Sequence, residues 1–105
     1  GPMSESFSAS RWTKGNRIFP TRIEVSPDRV TRIQPKWIGS TEESIAIPNV
    51  ASVQIATGLM FSDIRIDSTG GSNPIESHGH TKGDARRIRE LIEQYQRQRP
   101  AAVLQ

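Results

Sequence analysis

Near residue 80 the apolar pattern changes its period from two to 3.6, and that switch constrains the fold more than any motif does. From Arg17 to Gly79, short β-branched runs are separated by Gly, Pro, Asn, Asp and Ser, which marks five to seven successive antiparallel strands. From Thr81 onward, Ala85, Ile88, Leu91, Ile92 and Tyr95 fall on one stripe, as on an amphipathic helix. Thr81 with Asp84 three residues later makes a capping-box-like start, and Pro100 is expected to end the helix. From Lys82 to Arg99 it would run ~27 Å at ~1.5 Å per residue, long enough to lie across one side or open end of a small sheet. The expected fold is therefore mainly β with one C-terminal α-helix, a bent antiparallel sheet or barrel capped by that helix.

The strands read individually as follows. Thr21 to Val25 puts Ile23 and Val25 on one face and Arg22 and Glu24 on the other, as in a half-buried strand. Ser26-Pro27-Asp28 is turn chemistry. Arg29 to Ile38 is expected as a longer strand with a bend or bulge near Pro35, because Val30 and Ile33 are out of phase. Ser40-Thr41-Glu42 is expected as the next turn, followed by a strand over Ser44 to Ile47 that Pro48 stops. Val53 and Ile55 alternate with polar or small residues until Gly58, and Ile64 and Ile66 alternate with Asp63, Arg65 and Asp67. Thr69-Gly70-Gly71-Ser72-Asn73 predicts a turn before a last strand around Pro74 to His78.

At 105 residues, with 33% apolar and 24% charged, the chain suits one domain. A domain of this size buries roughly 60 to 70% of the surface its unfolded chain exposes, enough for one core. There is no Cys, which removes disulfides, thiolate nucleophiles, iron–sulfur clusters and Cys-based zinc sites together. Residues 1–14 are expected to be a tag remnant and flexible or loosely docked arm, with Gly1-Pro2 read as a cleavage scar and Trp12 pinning the arm's end. The folded domain is expected over 15–99, with a tail over 100–105. No apolar run approaches the ~20 residues of a membrane span. A cytoplasmic location, with the membrane surface as its alternative, is the expectation.

Net charge is +3. Between Thr81 and Arg99, six basic residues stand against three acidic ones, so the helix carries the whole excess. Arg86, Arg87, Arg89, Arg97 and Arg99 give it a basic outer face that could meet phosphate or anionic lipid. The competing reading is a solvated face, with Glu90 and Glu93 pairing to those arginines at helical spacing. Nucleic acid is the less favoured partner, because single-strand readers need stacking aromatics on a sheet and only six aromatics occur here.

The run of strands closed by one helix resembles the pleckstrin-homology-like superfold, in particular its small bacterial domains. Ser44-Ile45-Ala46-Ile47-Pro48-Asn49-Val50-Ala51-Ser52-Val53 is similar to the segment in which one strand of those domains ends and the next begins. Thr57-Gly58-Leu59-Met60-Phe61 resembles their Gly-Leu-rich loop, and Asp63-Ile64-Arg65-Ile66 the strand after it. The likeness covers roughly residues 17 to 96 and implies recognition rather than catalysis. Lipid-binding eukaryotic members carry a Lys-rich loop between their first strands. The matching stretch here, Arg22 through Ser26-Pro27-Asp28 to Arg29 and Arg32, has a short turn with an acid, which argues against phosphoinositide binding.

No catalytic residues are expected. Neither G-x-S-x-G nor S-x-x-K occurs, Asp63, Asp67 and Glu76 read as a solvated strand face, and Gly70-Gly71 does not precede a helix as a phosphate loop must. His78 and His80, two apart, would share one side of a strand, but two ligands are too few for a metal and solvated loop residues are the ordinary reading. No metal or cofactor is expected. Trp37, Leu59, Met60 and Phe61 remain, apolar groups beside turns together with Ile38. Either they form a sticky patch for a protein partner, a second copy or a lipid interface, or they fold inward and complete the core.

Overall fold

The computed structural model describes residues 4–10, 19–70 and 73–98. Among the described residues, seven strands form two antiparallel sheets that do not close into a barrel, and one C-terminal helix packs across them. The first sheet takes β1 (Glu5–Ser8), β2 (Arg22–Val25), β3 (Arg29–Pro35) and β4 (Ser40–Ala46) in chain order. The second takes β5 (Val50–Thr57), β6 (Ser62–Ser68) and β7 (Ile75–His80), again in chain order. Between the sheets, Ile47–Asn49 makes a single 3₁₀ turn. Pro48 suits it because a proline early in a helical turn gives up an N–H that has no partner there.

Alternation decides which face each strand buries. Ile23 and Val25 of β2 and Ile64 and Ile66 of β6 point into one core, with Ile75 of β7 beside them. The helix α1 (Lys82–Gln98) closes that core with the stripe Ala85, Ile88, Leu91, Ile92 and Tyr95, all five buried. Each fully buried isoleucine contributes about 1.5–3 kcal/mol through removal of its apolar surface from water. The Thr81 hydroxyl accepts the Asp84 N–H at 3.1 Å, which caps the helix start.

Four hydrogen bonds tie the elements at the corner between the sheets. The Ile47 N–H donates to the Asp28 carbonyl at 2.9 Å and the Thr69 N–H to that of Asn49 at 2.8 Å. Near the end of α1, the Gln96 amide donates to the carbonyls of Ile47 at 3.3 Å and Val50 at 3.0 Å. At the opposite end of β7, the Ser10 N–H reaches the Gly79 carbonyl at 2.8 Å, a bridge from the β1 side of one sheet to the edge of the other.

Several expectations need correction. Residues 5–8 belong to the folded body and not to a loose arm: Phe7 pairs with Ile23 and turns its ring into the core. The folded body thus begins ahead of residue 15. The strand expected to reach Ile38 stops at Pro35 without a bulge, since the turn lies over residues 36–39. Its Gly39 has φ +74, and the Lys36 N–H donates to the Gly39 carbonyl at 3.1 Å. Ser40-Thr41-Glu42, expected as a turn, opens β4 and pairs with Pro35, Gln34 and Ile33. The last strand runs on to His80. Trp12, Gly71, Ser72, Arg99, Pro100 and the tail lie outside the described residues, as do Gly1, Pro2 and Met3.

Candidate functional site

The two apolar groups that the sequence left undecided are presented outward, one on a hairpin of each sheet. At the β3–β4 tip, Trp37 is 82% exposed and Ile38 93%. At the β5–β6 tip, Leu59 is 93% exposed and Met60 71%. Phe61 is half-buried at the root of that tip.

Local backbone chemistry fixes both presentations. The β3–β4 ladder continues through Pro35 and Ser40, beyond the last buried residue of β3, Ile33. The hairpin therefore overshoots the core, and Ser40 to Ser44 are exposed on both faces. Trp37 meets the ring of Phe19 edge-on, with centroids 5.0 Å apart and planes at 89°, a geometry aromatic quadrupoles favour. In the second hairpin the Gly58 N–H donates to the Phe61 carbonyl at 2.8 Å, closing a short loop whose middle residues are Leu59 and Met60. A Cβ on Gly58 would stand 3.0 Å from that same carbonyl, so a side chain there needs the loop to give by a few tenths of an ångström.

The basic helix face is also placed. Arg86, Arg87 and Arg97 are exposed and Arg89 is half-buried. Arg87 donates to Glu5 of β1 at 3.1 Å. Glu90 and Glu93 form no ion pair with the helix arginines among the described residues. An exposed pair such as Arg87–Glu5 is worth about 0–1 kcal/mol, so the helix face keeps most of its charge available.

The outer face of the second sheet is a network of charges around a shallow hollow of about 230 Å³. Arg65 donates to Asp67 at 3.0 Å and to Glu76 at 3.0 Å, and the His78 Nδ1 lies 3.2 Å from Asp63. Hydrogen bonds from Arg65 and then Ser52 hold the Asp67 carboxyl below its ordinary range, and the bond and charge of Asp67 raise the Arg65 guanidinium. These partners satisfy one another across β5, β6 and β7, as a solvated strand face should.

His78 and His80 do not share a side. Gly79, at φ +86, breaks the alternation where the β6–β7 register shifts, so His78 stays exposed while His80 turns fully inward. The shared-metal arrangement is thereby ruled out for this pair, and no group of three or more potential ligands occurs among the described residues. The His80 Nε2 and the Ser77 hydroxyl are 2.6 Å apart. Such a pair resembles a nucleophile and its base, yet Ser77 is 2% exposed and His80 0%, so a substrate carbonyl has no approach to it. Burial lowers the pKa of His80. Nothing in the residue pattern marks this pair, because Ser77 reads as a small polar residue of an exposed strand end.

No family model matches the chain, and no curated protein or solved structure matches it.

Proposed function

We propose that the chain is a non-catalytic, pleckstrin-homology-like recognition module that docks a protein surface, a partner or a second copy, through Leu59, Met60 and Phe61 with Trp37. The observation that carries this reading is the exposure of Leu59 and Met60 on a closed Gly58 turn. Large apolar side chains held out on a closed turn offer apolar surface whose burial favours binding, less the cost of ordering them. Aromatic and Met anchors are enriched at the centres of protein interfaces. The order of four strands, three strands and a closing helix supports the family resemblance. β4 and β5 are terminal strands of their sheets, and strand addition there is a second mode of contact.

The rival reading is a peripheral membrane module. Its support is the exposed arginine face of α1 together with the same apolar tips, charge for anionic headgroups and side chains for insertion. Nucleic-acid binding through Arg86, Arg87, Arg89 and Arg97 has only the charge in its favour.

One pair of measurements separates these. Sedimentation equilibrium should show mass rising with concentration for the parent chain, and Met60→Asp should abolish that rise without changing the urea midpoint. A parent that stays monomeric moves the docking partner to another protein. Co-sedimentation with anionic but not neutral vesicles, weakened by salt and by Met60→Asp, would replace the leading reading with the membrane one. A steep salt slope for DNA or RNA that ignores Met60→Asp would favour nucleic acid.

A further inference from the structure

The most confined chemistry in the molecule lies behind the β5–β6 hairpin and not on it. His80, Ser77 and Ser62 are all essentially closed to solvent. Ser62 opens β6 immediately after the Leu59–Phe61 loop and stands directly opposite His80 in the β6–β7 ladder. The residue after His80 is the helix cap Thr81, and Gly79 receives the Ser10 N–H. One side chain thus sits where the base of the hairpin, the start of α1 and the segment after β1 meet.

We propose that His80 is an acid-sensitive latch, whose protonation loosens the junction of β7, the N-terminus of α1 and the base of the β5–β6 hairpin. Neutral imidazole fits the site with one bond, Nε2 to the Ser77 hydroxyl. The cation would carry N–H donors on both nitrogens, and among protein groups Nδ1 has no acceptor within hydrogen-bond reach. Ser62 Oγ, likewise without a protein partner, can rotate only a neutral dipole toward a buried charge. The N-terminus of α1 adds positive potential at the same place.

The charged groups that act on His80 come from three elements. Asp84 on α1 and Asp63 on β6 favour its protonation, and His78 on β7 opposes it. Burial outweighs both carboxylates, so the net displacement is downward from the ordinary value of 6.5. The consequence for stability has a definite sign. The unfolded chain binds the proton near pH 6.5 while the folded chain still refuses it, so stability is complete above about pH 7.5 and falls as pH drops through 6.5. A single such proton raises the open population by at most about tenfold per pH unit. The device works whatever the hairpin binds, so its failure and the failure of the docking reading are separate events.

The test uses the whole chain with labelled histidine. In an NMR titration the His80 Cε1 signal should change from neutral to protonated below the ordinary value of 6.5. Hydrogen exchange at pH 5.5 against pH 7.5 should show lost protection over residues 62–64 and 78–88 with β2 and β3 protected. In urea titrations across pH 7.5 to 5.5, His80→Gln should flatten the pH dependence of the unfolding constant by up to tenfold per unit. A folded-state His80 titrating at or above 6.5, an unchanged slope in His80→Gln, or protection lost uniformly through both sheets would overturn the latch. The wild-type titration and exchange data decide the matter even if His80→Gln does not fold.

Discussion

At the scale of single residues, position 81 shows how much one hydroxyl does. The Thr81 Oγ1 accepts the Asp84 N–H at 3.1 Å and satisfies one of the donors a helix start leaves open. Thr81→Ala should cost about 1 kcal/mol, read as a lower urea midpoint at constant slope, and Thr81→Ser should restore it. This cap was legible in the sequence, because the hydroxyl, the acid three residues later and the stripe behind them agree. The environment of His80 was not. Counting by twos along Ser77, His78, Gly79 and His80 puts both histidines on one side, whereas a left-handed Gly79 adds a residue to the count and sends only His80 inward. Which glycine adopts that backbone depends on the strand opposite, which local sequence does not contain.

Among the elements, α1 and β1 stand at the two ends of legibility. Five apolar residues at helical spacing announce α1, and all five are buried. In β1 the only comparable pattern is Phe7 followed by Ala9, inside a Ser-rich segment, and its partner β2 lies beyond a long connection. Yet Phe7 belongs to the core. Phe7→Ala should therefore destabilise the fold by about 3–5 kcal/mol, while the outward Ser6→Ala should stay within ~0.5 kcal/mol; thermal melts of the two variants check the contrast. β4 is hard to read from sequence for the opposite reason. Ser40 to Ser44 have no apolar side to alternate, because the hairpin runs past the core, and a strand wet on both faces looks like a turn. The same overshoot made the direction of Trp37 unreadable, since the pairing beyond Ile33 decides it.

For the whole molecule, acid should act in two separate windows. The first is that of His80, below pH 6.5. The second belongs to Asp67, which accepts bonds from Arg65, Ser52 and Gln54 at 3.0, 3.0 and 3.3 Å and so links β5 to β6. Its folded pKa is lowered from 3.8, so its contribution is present above pH 3.8 and is lost as pH falls through the folded value. Asp67→Asn should flatten the stability curve below about pH 4 and leave the upper window intact, as denaturant titrations at stepped pH would show. The two-sheet order has a kinetic meaning as well. Among the described residues every strand pairs only with its neighbour in the chain, and all but the β1–β2 pair are joined by short connections. Pairing between strands that follow one another in the chain favours quicker formation of the sheets than pairing between distant ones. The helix α1 reaches the sheets from the far end of the described chain, and substitutions along its buried stripe should change the unfolding rate more than the rate at which the hairpins appear.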